Sequence, residues 1–243
     1  MSNSYPLITI NIENWYASSA GVQDKHVWQE WAFNGYYPEY TSSAFNNIPP
    51  MMRRRMSELS KHAVQCAIEL LNQSTVDYLV FSSRHGELHR SVALVNNILR
   101  GEEASPMAFS QSVHNTAAGL TTIATNKPIP LTSIAAGENT FHSALLEVFC
   151  FLQLHPKAKV LLIDFDEPLP TDYSEFEKQS YRAYALGLIL THGATYSIQP
   201  ATLNINPNQT LPQTLQFLKS FLSSAANQWQ ISTSRHAWVW HKK

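Results

Sequence analysis

Three sets of residues in this sequence carry side chains that could do chemistry. Ser112 and His114 could act as a nucleophile and its base, but residues two positions apart on a helix or turn do not face each other. His85 and His89 have the i, i+4 spacing that can hold a metal, yet no third ligand is evident and structural zinc sites need four. We therefore predict a structural or interface role for His114, and surface histidines with no bound metal at His85 and His89.

Carboxylates form the third set. Asp164, Asp166 and Glu167 follow an apolar run, at a position where α/β folds often bind ligands, and they could hold Mg²⁺. Neither of the phosphate-binding glycine motifs, GxGxxG or GxxxxGK[ST], occurs in the chain, so we interpret these acids as a solvated strand end and predict no cofactor. Glu138 lies at a predicted helix N-terminus, where the helix dipole favours a carboxylate by roughly 0.3–1 kcal/mol.

Apolar periodicity predicts the elements that position these residues. Predicted strands cover residues 7–12, 76–82, 128–135, 160–164, 183–190, 195–199 and 237–241, and predicted helices cover 51–72, 88–99, 139–154 and 211–226. A short strand turns into a helix around His114, His192-Gly193 predicts a hairpin turn, and residues 204–209 form a polar linker. The aromatic segment 15–40 favours neither state; docking to a partner and core packing both fit it. The alternation indicates a layered α/β domain.

Composition excludes several classes of function. The 243 residues are 44% hydrophobic and 14% charged, with a net charge of −1, so bulk electrostatics attract neither nucleic acid nor an anionic membrane. No apolar run approaches the length of a membrane span, and the N-terminus does not resemble a secretion signal. Cys66 and Cys150 lie in apolar helical runs, which favours buried free thiols in a reducing compartment. We expect a cytoplasmic protein.

Several segments resemble, in order, the N-terminal half of the β-ketoacyl synthases. RRRMSELSKHAVQCA is similar to that family's first long helix, and LVFSSRHGELHRSVALVNNI to the strand, turn and helix that follow it. SPMAFSQSVHNTAAG resembles the next strand and interface helix, PLTSIAAGENTFHSALLEVF the nucleophile strand and its buried helix, and KVLLIDFDEPLP the strand after it. The resemblance covers residues 7–200. It implies a thiolase-like βαβαβαββ half, an α-β-α layered domain with a mixed sheet over 1–200, and a helix and strand extension, 201–243, packed on the same domain.

The resemblance also implies a departure from the family's chemistry. It places Glu138, or Gly137 if the register differs by one residue, where the family carries a cysteine. The thiolate of that cysteine is stabilised by the N–H groups and dipole of a helix N-terminus. A carboxylate cannot form the acyl thioester. The family's activating histidines belong to a second half, for which we find no counterpart in this sequence. We therefore expect no catalysis by the chain on its own; the rival hypothesis is an acyl-thioester decarboxylase or hydrolase that uses Glu138 and His114.

The resemblance implies a full-length ketosynthase as partner. Like a chain length factor, the chain would form a heterodimer with that ketosynthase and shape its acyl tunnel. The pathway implied is type II fatty acid or polyketide synthesis on an acyl carrier protein, for example the synthesis of an aryl polyene. The candidate interface and tunnel positions are Phe109, Gln111, Ser112, His114, Asn115, Ala118, Leu120 and Ile123. With Ala118 in that interface, Ala118→Trp is expected to weaken the heterodimer and leave the isolated chain folded.

The basic cluster Arg53, Arg54 and Arg55 allows two interpretations. It is a solvated helix face or a docking point for carrier protein. A third hypothesis for the whole chain is a homodimeric scaffold that binds carrier protein through these arginines.

Overall fold

A computed structural model describes residues 7–41, 43–203, 210–223 and 226–243. The strands are β1 (Ile8–Ser19), β2 (Tyr78–Ser82), β3 (Leu131–Ile134), β4 (Lys159–Asp166), β5 (Tyr184–Pro200), β6 (Gln228–Ser232) and β7 (Ala237–Lys242). The helices are α1 (Lys25–Asn34), α2 (Pro50–Arg53), α3 (Glu58–Gln73), α4 (Leu88–Leu99), α5 (Pro106–Ser110), α6 (Thr116–Thr125), α7 (Thr140–Leu154) and α8 (Gln213–Ser223). Short 3-10 turns occupy Gly137–Asn139 and Thr171–Phe176.

The strands form one mixed sheet. Strand β2 lies parallel to both β3 and β4, whereas β5 runs antiparallel to β4 on one side and to β1 on the other. The order is therefore β3-β2-β4-β5-β1, and the far half of β5 also pairs with β7, which pairs with β6. The predicted α/β class and the thiolase-like half with a mixed sheet are confirmed.

Helices cover both faces of the sheet, because alternate residues of the central strands point to opposite sides. On one face Leu161 and Ile163 pack with α3 and α6; on the other, Val160 and Leu162 pack with α1, α7 and α8. Both faces of β4 are buried, which explains its nearly continuous apolar sequence. The sheet thus has an α-β-α layering.

The predicted hairpin at His192-Gly193 is wrong. Tyr184–Pro200 is one continuous strand of 17 residues, and β1 pairs with both of its halves across a register shift between Ile10 and Asn11. A Cβ on Gly193 would lie 2.1 Å from Asn11 Nδ2, so the glycine there makes room for the Asn11 side chain rather than for a turn.

Three further predictions need correction. The predicted strand before His114 is replaced by the short helix α5 and a turn, because Ser105 caps α5 by accepting a hydrogen bond from Ala108 N. The predicted helix 51–72 is divided in two, since Ser57 caps α3 through Ser60 N. Cys66 is buried as predicted, but Cys150 lies on the exposed side of α7.

The remaining sequence predictions fall close to the structure. The predicted linker 204–209 lies outside the described residues. Helix α8 and strand β7 match the predictions for 211–226 and 237–241, and β6 was missed. In the aromatic segment, Trp28 and Trp31 are buried on α1, which favours core packing over docking for those two side chains. No described helix is long and apolar enough to cross a bilayer.

Candidate functional site

The carboxyl ends of the parallel strands β2, β3 and β4 meet at one edge of the sheet. After β3 the chain turns through Gly137–Asn139 and enters α7, a helix of 15 residues that packs beneath the sheet. Gly137 has a φ of 59°, a backbone conformation that favours glycine. This turn presents Glu138 at the edge where α/β sheets commonly hold ligands.

Glu138 is held by the turn between β6 and β7. Its Oε2 accepts hydrogen bonds from Ser234 N, at 3.0 Å, and from Ser234 Oγ, at 2.6 Å. Partial burial would raise the pKa of Glu138, but the two bonds from Ser234 and the positive charges of Arg84 and Lys178 outweigh it and hold that pKa below its usual value. Glu138 is therefore an ionised carboxylate with an engaged oxygen.

No cysteine lies near this turn. Cys66 is buried on α3 and its Sγ contacts the carbonyl oxygen of Ala185, while Cys150 is well along α7, beyond its first turns. Burial raises the pKa of the Cys66 thiol well above its usual value, so that thiol is inert. The start of α7 thus carries a fixed negative charge and no thiol nucleophile.

Beneath Glu138 lie two buried carboxyl groups, Asp164 and Asp166, which contradicts the predicted solvated strand end. Asp164 accepts hydrogen bonds from Ser82 Oγ, Tyr184 OH and Thr214 Oγ1. Asp166 accepts from Ser83 Oγ, Arg84 N and His85 N. Burial raises the pKa of Asp164 to about 6 and, with the neighbouring charge of Asp164, that of Asp166 to about 7. These bonds tie the end of β2 to the end of β4.

The rival pair, Glu138 and His114, is not brought together. His114 Nε2 lies 2.8 Å from the carbonyl oxygen of Ser83, and the imidazole packs against Gly86. His114 does not line the cleft that surrounds Glu138. His114 therefore bridges its turn to the end of β2, as the sequence analysis expects, and forms no acid–base pair with Glu138.

The two histidines considered as metal ligands lie in different surroundings. His89 is exposed, and its Nε2 lies 2.8 Å from the carbonyl oxygen of Pro168. His85 is half-buried, with its pKa lowered by burial and by the nearby Arg84, so the surface prediction is wrong for this residue. The described residues contain no group of three or more side chains placed to hold a metal ion.

The candidate interface residues divide between an outer and an inner face. Phe109 on α5 and Ile123 on α6 are 62% and 68% exposed, and both point away from the sheet. Gln111 accepts a hydrogen bond from Arg90, and Ser112 donates to the carbonyl oxygen of Phe109. Asn115 precedes α6 without capping it through its side chain.

Ala118 is a correction. It is 1% exposed and packs with Ala117 against α3 in the hydrophobic core, so it cannot line an interface. Leu120 packs partly on the small cluster formed by Phe45, Ile48 and Met56. The sequence of α6 already shows these two faces. Its small side chains recur three and four positions apart, and they form the face that packs against α3.

An exposed apolar surface extends beyond the candidate residues. It is formed by α4, α5, α6 and the turn before α6, and its exposed members are Val95, Ile98, Leu99, Met107, Phe109, Val113 and Ile123; we call it the α4–α6 surface. Of these seven residues, the sequence predicts only Phe109 and Ile123. The apolar outer stripe of α4, a helix whose only buried residue is Leu94, is the sequence pattern that indicates the exposed residues of that helix.

The basic cluster is mostly exposed. Arg54 and Arg55 lie on the surface, whereas Arg53 Nη1 donates to the carbonyl oxygen of Phe45 at 3.0 Å and is half-buried. The cluster thus offers two solvated guanidinium groups and one that fixes the loop before α2.

The fold is that of a thiolase-like half with a carboxylate, Glu138, in the turn before α7. The family model described as the β-ketoacyl synthase N-terminal domain matches residues 28–241. The chain belongs to the β-ketoacyl synthase family, within which it is similar to structures that contain chain length factors.

Three solved structures are similar to this chain. A chain from a structure described as a ketosynthase (ApeO) in complex with its chain length factor (ApeC), from Xenorhabdus doucetiae, is 30% identical with a TM-score of 0.88, and the match covers 97% of this chain and 100% of that one. The ishigamide ketosynthase/chain length factor has 16% identity and a TM-score of 0.60 over 82% and 67% of the two chains. A β-ketoacyl synthase from Burkholderia phymatum STM815 has 10% identity and a TM-score of 0.55 over 82% and 66%. These last two support the fold alone. A search among curated proteins found no match.

Proposed function

We propose that this chain is a non-catalytic, chain-length-factor-like subunit that pairs with an active β-ketoacyl synthase and shapes its acyl tunnel, in carrier-protein-dependent synthesis of a polyketide, a polyene or a fatty acid. The observation that carries the proposal is Glu138. An ionised carboxylate, bonded to Ser234, occupies the start of α7, where the family resemblance puts the nucleophile. Such a group cannot carry an acyl thioester, so the condensation chemistry must come from another chain.

The free side of β3 supports the position of the partner. Within the described chain β3 pairs only with β2, so its outer backbone groups are left for another strand. An edge strand of this kind is a ready template for pairing between chains. Since the family pairs the strand before the nucleophile across its dimer axis, we place the ketosynthase at this edge.

The α4–α6 surface supports the same position. Apolar side chains exposed together are costly in water and mark sites of association more often than single exposed residues do. Phe109 and Ile123 are the most exposed large apolar side chains of α5 and α6, so we assign them to the contact and to the wall of the partner's tunnel. The exposed Arg54 and Arg55 are the candidate contact for the acidic surface of a carrier protein.

Co-expression with the ketosynthase encoded nearest to this chain tests the pairing. The pair should copurify at a 1:1 ratio, and Phe109→Asp should weaken it at least tenfold, because the substitution buries a charge in the contact. Phe33→Asp is the matched control: Phe33 is 73% exposed on α1, away from β3, and its replacement should leave the affinity unchanged. Equal effects of the two substitutions would remove the proposed contact.

Product analysis tests the non-catalytic role. The reconstituted pair should make acyl chains of a different length from those of the ketosynthase alone. Glu138→Gln in the pair should leave the rate of chain extension unchanged, because in this proposal the condensation takes place on the ketosynthase. Loss of extension in that variant, with the 1:1 pair intact, would assign catalysis to Glu138 and overturn the proposal.

A further inference from the structure

A second feature of the Glu138 edge is a cleft with a cationic lining. The cleft has a volume of about 310 Å³ and opens at the carboxyl ends of β2 and β3. Arg84 enters it from the residues after β2, Lys178 from the segment before β5, and Arg235 and His236 from the turn between β6 and β7. Three separate segments of the chain therefore each bring one Arg or Lys cation to the same cavity.

The charges in this cleft do not cancel. Arg84, Lys178 and Arg235 contribute three positive charges, and none of the three forms a salt bridge with a described residue. Glu138 is the one carboxylate that lines this cleft, and its bonds to Ser234 hold it ionised. The buried Asp164 and Asp166 line the adjoining cavity beneath Glu138, where each accepts hydrogen bonds from hydroxyl or backbone donors. Among the side chains that line the cleft, the Arg and Lys cations outnumber the carboxylates by three to one, an excess of two.

We propose that the cleft binds a compact dianion of the phosphate monoester class. A phosphate monoester carries about −1.5 to −2 charges at pH 7, which matches the lining. Two guanidinium groups from different segments provide the forked donors that bind phosphate oxygens in pairs. The backbone at Gly137, Glu138 and Asn139 adds the positive end of the α7 dipole, because these residues line the cleft at the start of that helix.

The size and the position of the cleft restrict the ligand. A volume of about 310 Å³ admits a small phosphorylated molecule, and its polar rim is unsuited to a long acyl chain. The site belongs to the chain itself and needs no ketosynthase, so its test and the test of the proposed pairing can fail separately.

Titration of the full chain with inorganic phosphate tests this site. Calorimetry, or the amide NMR signals of Gly137 and Ser234, should show saturable binding, with phosphate binding at least tenfold more tightly than the monovalent acetate. Arg235→Gln and Arg84→Gln should each weaken phosphate binding about tenfold or more. The Arg84 substitution leaves its backbone N–H bond to Asp166 in place, and Arg235 is exposed, so both variants should keep the fold.

Arg100→Gln is the matched control. Arg100 lies at the end of α4, outside the cleft, and the substitution removes the same charge. It should leave phosphate affinity unchanged, whereas Arg84→Lys, which keeps the charge and loses the fork, should weaken binding to an intermediate degree. Absence of saturable binding, equal affinity for acetate, or equal weakening in Arg100→Gln would each overturn the proposal.

Discussion

The two ends of the sheet use their large apolar side chains in opposite ways. At the β6–β7 end, Trp240 is fully buried among the rings of Phe141, Tyr196, Phe217 and Trp229. At the β3 end, the α4–α6 surface leaves its apolar side chains in water beside a strand with a free edge. Both ends of the described sheet finish on an edge strand, β3 or β6, so the difference lies in the side chains: one end buries its rings within the chain, and the other leaves apolar side chains exposed. An exposed apolar surface of this kind is what a partner covers.

Polar groups do not distinguish the two ends in this way. At the β6–β7 end the buried His142 accepts a hydrogen bond from Trp240 Nε1 at 3.0 Å and stacks on Trp238 with its ring 4.9 Å away. Among the described residues, however, His142 Nδ1 and Trp229 Nε1 at this end have no hydrogen-bond partner, and neither has Ser133 Oγ at the β3 end. The contrast between the two ends therefore lies in their apolar side chains.

The largest expected effect is a difference in the free energy of unfolding between substitutions at the two ends of the sheet. Trp240→Ala should lower the free energy of unfolding by about 3–5 kcal/mol, because it leaves a cavity in a packed cluster and removes the donor to His142. Phe109→Ala removes a ring of similar size from the exposed surface and should change that free energy by less than about 0.5 kcal/mol. Urea unfolding of both variants measures the difference, and comparable losses would contradict the contrast.

The second-largest expected effect is a loss of folding stability in acid, caused by His142 at the β6–β7 end. Burial lowers the pKa of His142 to about 3, and the bond from Trp240 needs the neutral ring. The unfolded chain takes up a proton as pH falls through about 6.5, and the folded chain does not until about 3, so this residue's contribution to stability is lost progressively over that range.

At pH 4 the loss should be about 3 kcal/mol relative to pH 7, taking about 1.4 kcal/mol per pKa unit. His142→Gln, which cannot be protonated, should flatten this part of the pH profile. His62, with a pKa lowered by burial to about 4, contributes in the same direction and remains in both proteins. An unchanged pH profile in His142→Gln would show that His142 is not held neutral.

The third prediction concerns the two faces of α6. Ala118→Trp should lower the free energy of unfolding by about 1–3 kcal/mol, because the indole cannot fit between α6 and α3. Ile123→Trp, on the outer face, should leave the melting temperature unchanged and alter only the affinity for the ketosynthase. Thermal melts of both variants decide this point, and a stable Ala118→Trp protein would place α6 in a different orientation.

The smallest expected effect is at Glu138. Glu138→Ala removes a partly exposed carboxylate with two bonds to Ser234, and it should cost less than about 1 kcal/mol. Ser234→Ala removes one of those bonds and should cost still less. Chemical unfolding of the two variants measures both losses, and failure of Glu138→Ala to fold would assign that residue a role in the core.

The sequence predicted those parts of the molecule that depend on local pattern. The apolar run of β4 and the helix at α7 were recognisable because each is long and nearly uninterrupted. The sequence also predicted that Glu138 lies at the start of α7, because the apolar helical run begins directly after it. Register between distant strands was not predictable, so the pairing of β1 with both halves of β5 could not be foreseen from Gly193.

The sequence pattern also does not predict the environment of the polar residues. The sequence predicts Asp164 as solvated because nothing local shows that Ser82, Thr214 and Tyr184 converge on it from separate segments. The same holds for Asp166, which accepts its hydrogen bonds from the residues that follow β2. The cationic cleft has the same origin, since Arg84, Lys178 and Arg235 are far apart in the chain. Such sites are formed by topology, and a linear sequence does not display them.

Hydrogen exchange of the full chain, with and without its cognate ketosynthase, tests the central claim most directly. On binding, the amides of β3, α5 and α6 should become protected, because β3 gains a strand partner and the α4–α6 surface is covered. The amides of β6 and β7 should exchange at the same rate in both states. Protection confined to β6 and β7, or no change at β3, would contradict the assignment of the β3 edge to the ketosynthase.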